Sequence, residues 1–225
     1  MKSFIQYMAE KKIELPKSKT PITGIFNNPN MDVIGTGVQS TVYSMKSHPN
    51  SVLKVVNVMG DNDPTIQFLR VCTNHQDNPY FPKIFSYKLY DAKDLSQDDI
   101  DYLRNNLEFK QYRSKTILLI SMEKLDRIFD FNAERIVRML QILKLTATDY
   151  VNYSEPLLIM QDWFKDPKMR KKMMNNTPDP KLKDALRILE PLFNRFKADV
   201  HGNNVMIRTD GKRIHLVLSD PIWML

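Results

Sequence analysis

Residues 198–221 read A-D-V-H-G-N-N-V-M-I-R-T-D-G-K-R-I-H-L-V-L-S-D-P. Asp199 is followed by His201 and then by Asn204; two short apolar runs, 205–207 and 216–218, flank Asp210-Gly211. An Asp-Gly pair between two apolar runs predicts a β-hairpin. That hairpin puts Asn204 at the start of one strand and Asp220 at the end of its partner, with Asp199 on the loop before it. Two carboxylates and an amide on one loop edge offer hard oxygen donors. Such a set suits Mg²⁺, which shares its ligands with nucleotide phosphates. Asp199 is then in a position to accept or orient the proton of an attacking hydroxyl. The bland reading is an ordinary solvated hairpin, so the rest of the chain has to decide.

A chain of 225 residues can bury a core as one domain or as two small lobes. A hydrophobic share of 42% with 26% charged residues is ordinary for a globular protein. No apolar run reaches the ~20 residues needed to span a bilayer, and the first dozen residues lack the pattern of a signal peptide. The expectation is therefore a cytoplasmic protein without a membrane partner. Cys72 is the only cysteine and there are four histidines, which leaves no disulfide and no convincing zinc site. The net charge of +7 favours acidic partners in general. The densest basic run, residues 165–172 (K-D-P-K-M-R-K-K), reads as an exposed helix end, and no specific nucleic-acid motif accompanies it.

In chain order, residues 3–12 read as a short helix with Ser3 as cap, followed by an extended connector holding Pro16 and Pro21. From Met31 the pattern turns to two β-branched strands joined by a turn at 48–51. The first contains Gly35 and Gly37, and the second carries Lys54 in V-L-K-V-V. Glycines inside a strand mark close approach of backbone to a ligand. A lysine stem among apolar neighbours either finds an anionic partner or snorkels to water. Asp63-Pro64 opens a helix over 65–72; 81–90 and 116–120 read as strands, and 96–111 reads as a helix with Ile100, Leu103 and Leu107 on one face. Asn132 caps a helix carrying Ile136, Leu140, Leu143 and Ala147, and a second helix is expected near 155–164. Asp179-Pro180 opens a third, with a core stripe Leu182, Leu186, Leu189, Phe193 and Phe196, which Pro191 is expected to kink or cut short.

A Gly-x-Gly strand, a lysine on the next strand and a later D-x₄-N…D, in that order, resemble a protein kinase. G-T-G-V-Q-S-T-V is similar to the Gly-rich loop, with Ser40 where the third glycine stands, and Met122–Glu123 resembles the hinge. Within kinases the D-x-H-x-G-N segment and the D-P in place of D-F-G resemble the early serine/threonine kinases of podoviral coliphages. The resemblance implies an α+β, bilobal fold: a connector over 1–30, a strand-rich lobe over 31–123 and a reduced helical lobe over 124–225. It implies Mg-ATP-dependent transfer to Ser or Thr hydroxyls of host proteins in the bacterial cytoplasm during host takeover. By position, Gly35, Gly37, Ser40 and Val42 would cover ATP, Lys54 would pair with its phosphates and Glu123 would lie at the adenine. Asp199 would be the catalytic base, and Asn204 and Asp220 would hold Mg²⁺.

The chain also departs from the family. The helix after Lys54 has Gln67 near the position where a glutamate would hold the lysine. His201 stands where kinases carry lysine, as in some small-molecule phosphotransferases. Only five residues follow Asp220, so a protein substrate is expected to be engaged elsewhere, with the basic run 165–172 as the candidate dock for an acidic host protein. The alternatives are a kinase-fold pseudoenzyme that binds and inhibits a host protein, and a small-molecule phosphotransferase.

Overall fold

The computed structural model describes residues 31–37, 39–106, 116–143, 164–200, 203–210 and 213–223. The expected helix at 3–12, the connector after it and all of the helix expected near 155–164 except Phe164 lie outside these residues. So do Leu107, Ala147, His201 and the Gly211 turn. By contacts the chain divides into two compact units. One holds the described residues up to 66 together with 83–124; the other holds 67–82 and the described residues from 125 onward. All strand pairings among the described residues are antiparallel, and the architecture is a mixed α/β one.

The first unit is built on a five-stranded sheet of β1 (Met31–Thr36), β2 (Ser40–Met45), β3 (His48–Val58), β4 (Ile84–Asp91) and β5 (Thr116–Glu123). The spatial order is β1-β2-β3-β5-β4. Where the pattern predicts two strands joined at 48–51, there are three. The stretch with the glycines folds back on itself between β1 and β2, the Gly37 N–H donating to the Ser40 carbonyl at 2.7 Å. The following reversal comes earlier, at Lys46–Ser47, because Met45 already pairs with His48; an irregularity then carries β3 to Val52, which pairs with Ser44. The strand expected over 81–90 begins only at Ile84. Phe81 is instead buried, edge-on to Phe68 at 6.3 Å, and Pro82 has no N–H to give a ladder. Tyr43, Leu53, Val55, Tyr90, Ile117 and Leu119 pack on one face of the sheet. On the other face Val52 and Val56 of β3 and Leu118 and Ile120 of β5 are buried as well, which explains the largely apolar runs there.

Helix α1 (Pro64–Asn74) starts as Asp63-Pro64 predicts: Asp63 is buried and its carboxylate accepts from the Thr65 and Met59 N–H groups, both at 2.9 Å. Helix α2 (Gln97–Asn106) occupies the described part of the expected 96–111 helix.

The second unit contains α3 (Ala133–Ile142), α4 (Pro167–Asn176), α5 (Pro180–Arg195) and the short strands β6 (Asp126–Arg127), β7 (Lys197–Ala198), β8 (Val205–Asp210), β9 (Arg213–Leu218) and β10 (Ile222–Trp223). Asn132 caps α3 through its side chain at 2.8 Å, and Asp179 caps α5, as expected. Ile136, Leu140, Leu182, Leu186, Leu189 and Phe193 are buried. Helix α5 does not stop at Pro191 but runs on to Arg195. The proline removes one N–H that the Arg187 carbonyl would otherwise accept, a loss the packed stripe on either side outweighs.

The basic run forms the start of helix α4, where Asp166 caps the helix through the Lys168 N–H at 2.8 Å, and its lysines are exposed as expected. Arg170, expected on the surface, is 3% exposed. No described helix is long and apolar enough to cross a membrane.

Candidate functional site

The hairpin predicted at 205–218 is β8 and β9, in register from Val205↔Leu218 to Asp210↔Arg213. It brings Asp199, Asn204 and Asp220 to one end through two backbone hydrogen bonds. The Ser219 N–H donates to the Asn204 carbonyl at 3.0 Å, and the Asp199 N–H donates to the Pro221 carbonyl at 2.9 Å. Asp220 thus sits between two residues, one tied to each of the other members. The second tie extends the pairing of β7 with β10, Ala198 opposite Ile222. All three side chains are half-buried, while the flanking Val200, Val205, Leu218 and Ile222 are fully buried. Apolar anchors on both sides leave the polar residues no freedom to slide in register.

The Asn204 amide group donates to the Asp199 carbonyl at 2.8 Å and to the Asp199 carboxylate Oδ2 at 2.9 Å. One amide nitrogen therefore closes the five-residue loop and orients the Asp199 carboxylate. With its nitrogen end engaged, the amide turns its oxygen end away from Asp199. Oxygen is the end a hard cation takes, so the donor set fits Mg²⁺: the Asn204 amide oxygen and the Asp220 carboxylate. Among the described residues no group of three or more His, Cys, Asp and Glu is arranged around a metal. A carboxylate, an amide and substrate oxygens do not require one.

In the first unit, cross-strand pairing gathers the other candidates. Lys54 lies opposite Val42 on one side and Ile120 on the other; Ser40 lies opposite Val56, and Gly35 opposite Val42. Directly opposed residues share a face, so Gly35, Ser40, Val42 and Lys54 share one face of the sheet. It is the face opposite the Tyr43–Leu53–Val55 core. Lys54 is half-buried. Gly37 stands at the β1–β2 reversal.

A Cβ on Gly35 would meet the Val42 side chain at 3.9 Å, and one on Gly37 would meet Ser40 no closer than 3.6 Å. Those are ordinary contacts, so the protein's own packing does not demand either glycine. Glu123 behaves differently. It pairs with Ser51, on the other face from Lys54, and its Oε1 accepts the Lys83 N–H at 2.6 Å while its own N–H donates to the Lys83 carbonyl. Gln67 is buried in α1.

Two constellations escaped the sequence reading. The first surrounds Arg170, whose guanidinium donates to Glu190 at 2.9 Å, to the Phe164 carbonyl at 2.6 Å and to Asn194 at 3.2 Å, and lies over the Phe193 ring at 5.2 Å. A lone arginine in a lysine run gives no sign of this; Glu190 and Asn194, four apart on the next helix, are a sign only once the two helices are known to pack. The second is at Tyr80, whose hydroxyl donates to Asp179 Oδ2 at 2.7 Å while Asp179 Oδ1 accepts the Lys181 and Leu182 N–H groups. Burial first, and then the bond to Asp179, push the Tyr80 phenol far above the ordinary tyrosine range. Nearby, Lys181 holds the exposed Asp77 carboxyl below the usual carboxylate range through a 2.9 Å hydrogen bond.

No family model matches the chain, and no curated protein matches it significantly. Among solved structures, a double mutant of the kinase domain of PknI from Mycobacterium tuberculosis is similar at 14% identity and a TM-score of 0.29. The match covers 86% of this chain and 61% of that one. A likeness that slight carries no argument about this chain.

Proposed function

We propose that this protein is an ATP-dependent phosphotransferase of the protein-kinase type, acting on Ser or Thr hydroxyls of proteins in a bacterial host cytoplasm. The observation that carries the reading is the braced trio Asp199, Asn204 and Asp220, with the Asn204 amide bonded to the Asp199 carboxylate. A hairpin whose polar residues were only solvated would not need an amide to close the loop and aim a carboxylate outside the strand. The sheet order β1-β2-β3-β5-β4, and two glycines that the fold's own packing does not require, support a nucleotide-covering role for the first unit.

In this reading Asp199 accepts the proton of the substrate hydroxyl as its oxygen bonds to the γ-phosphorus. The bond from that phosphorus to the bridging oxygen breaks, and ADP leaves with the electron pair. Asn204 keeps the Asp199 carboxylate oriented and, with Asp220, would hold Mg²⁺. When bound, Mg²⁺ supplies charge neutralisation of the phosphate oxygens. Lys54 would neutralise phosphate charge from the first unit. Gly35 and Gly37 would let backbone approach the phosphates, Ser40 and Val42 would line the nucleotide, and the backbone of Met122–Glu123 would face the adenine. The motif likeness to the podoviral early kinases supports Ser and Thr as acceptors and host takeover as the setting. The exposed Lys165, Lys168, Lys171 and Lys172 support a charge-steered encounter with an acidic protein.

The test is a thermal-shift titration with millimolar Mg-ATP beside a transfer assay with γ-labelled ATP and bacterial lysate. Wild type should gain stability from Mg-ATP and label protein. Asp220→Asn should lose the shift and keep its unliganded melting temperature. A wild type that shows no shift overturns the nucleotide reading.

A further inference from the structure

The second unit holds a cleft of about 490 Å³ away from the Asp199 trio. Helix α3 forms one wall with Arg135, Arg138, Met139 and Ile142; Ile214 and Leu216 of β9 form the other. Asp179 lies at its base, but its carboxylate is already engaged by the Tyr80 hydroxyl and the α5 N–H groups. Two guanidinium groups, Arg135 and Arg138, thus line the cleft against a single carboxylate, Asp179, whose oxygens are already occupied by hydrogen bonds. Ile142 is 72% exposed and Arg138 71% exposed. Ile142 thus stands with Met139, Leu143, Ile214 and Leu216 in one apolar lining beside two arginines, a composition that suits a ligand with both an apolar and an acidic group.

From these observations we propose that the cleft is a docking site for an extended segment of a partner protein carrying a carboxylate two residues from an apolar side chain. The charge selects the acid. The spacing follows from helix geometry: Arg138 and Ile142 are four residues apart, ~6 Å along α3. Two residues of an extended chain advance ~6.6 Å and return the side chain to the same face. An acid-x-apolar segment laid along α3 thus sets its carboxylate at Arg138 and its apolar residue on Ile142, with Arg135 accepting a second acid upstream. The Arg138–Glu134 contact at 2.6 Å is an exposed pair one turn apart and is easily exchanged. Docking here goes beyond the phosphotransfer reading, since no nucleotide takes part in it.

The probe is a fluorescein-labelled octapeptide with Asp two residues before Leu, measured by anisotropy without nucleotide; the control carries Lys in place of Asp. The Asp peptide should bind and the Lys peptide should not. Ile142→Asp should weaken binding about tenfold or more, and Arg135→Glu with Arg138→Glu should do the same. All three side chains are exposed, so the variants should keep the wild-type melting temperature. The proposal is overturned by no binding of the Asp peptide, by equal binding of both peptides, or by binding that the variants leave unchanged. It is also overturned if sedimentation shows a dimer that Ile142→Asp dissociates, because a second copy is then the occupant. Displacement of the peptide by octanoate at equal concentration would point instead to a small amphipathic acid and would equally overturn it.

Discussion

Truncating Arg170 to alanine should be among the most damaging single changes in the second unit, although it lies in a run of lysines that tolerate replacement. Arg170 is 3% exposed and Glu190 27% exposed, with their charged atoms 2.9 Å apart. Removing one member of a buried pair costs ~3–5 kcal/mol, most of it the desolvation of the abandoned charge. Glu190 keeps partial contact with water, which points to the lower end, about 3 kcal/mol. The Phe164 and Lys165 carbonyls and the Phe193 ring lose their cationic neighbour as well. For a chain of this size ~1 kcal/mol shifts the melting temperature by about 2–4 °C. Arg170→Ala should therefore melt about 6–12 °C below wild type, read by calorimetry at neutral pH. Replacing both charges, Arg170→Met with Glu190→Leu, should recover at least half of the loss, because no charge is then left buried. A single variant that melts within about 2 °C of wild type would refute the reasoning.

Three further outcomes are expected. Replacing Lys165, Lys168, Lys171 and Lys172 by Ser, with Arg170 retained, should change stability by less than about 0.5 kcal/mol per site and weaken labelling of lysate proteins at low salt; equal labelling would remove the docking role of that surface. Asp199→Asn should keep Mg-ATP affinity within a few-fold and abolish transfer, and an unchanged transfer rate would show that Asp199 is not the base. The Tyr80 phenol is raised in the folded state, so its contribution is complete below the ordinary tyrosine value of ~10 and is lost as pH climbs above it. From pH 9 to 11 wild type should lose melting temperature faster than Tyr80→Phe, and parallel curves would contradict the assignment.

The hairpin and its three polar residues were legible because the signals are local. Asp-Gly punctuates two apolar runs, and the strand period then dictates which residues reach the same end. The caps at Asp63, Asn132 and Asp179 were legible for the same reason, each being a side chain bonded within its own first helical turn. The β1–β2 reversal was hidden because Gly35, Gly37 and Gln39-Ser40 are interleaved with β-branched residues and no Asn-Gly or Asp-Gly pair marks one turn. The fate of Arg170 was hidden because its partners Glu190 and Asn194 belong to the next helix. That Gly35, Ser40, Val42 and Lys54 share a face depends on register between strands, which the order of residues does not reveal. The cleft beside α3 needs Tyr80, Asp179 and Ile214 together, residues scattered over more than half of the chain.

The short segment around Tyr80 has a consequence for how the chain is made. Arg208 donates to the Pro79 and Phe81 carbonyls at 2.6 and 2.9 Å, and the Leu218 N–H donates to the Tyr80 carbonyl at 3.0 Å. Arg208 follows Pro79 by 129 residues. At ribosomal rates of ~5–20 residues per second, Pro79 precedes Arg208 by roughly 6–26 seconds. During that interval these carbonyls have only water or temporary neighbours. The hairpin that carries Asn204 thus arrives long after the segment whose carbonyls it satisfies. A nascent chain stalled before it would present the unpaired backbone of 79–81 to chaperones and proteases while still lacking Asn204 and Asp220.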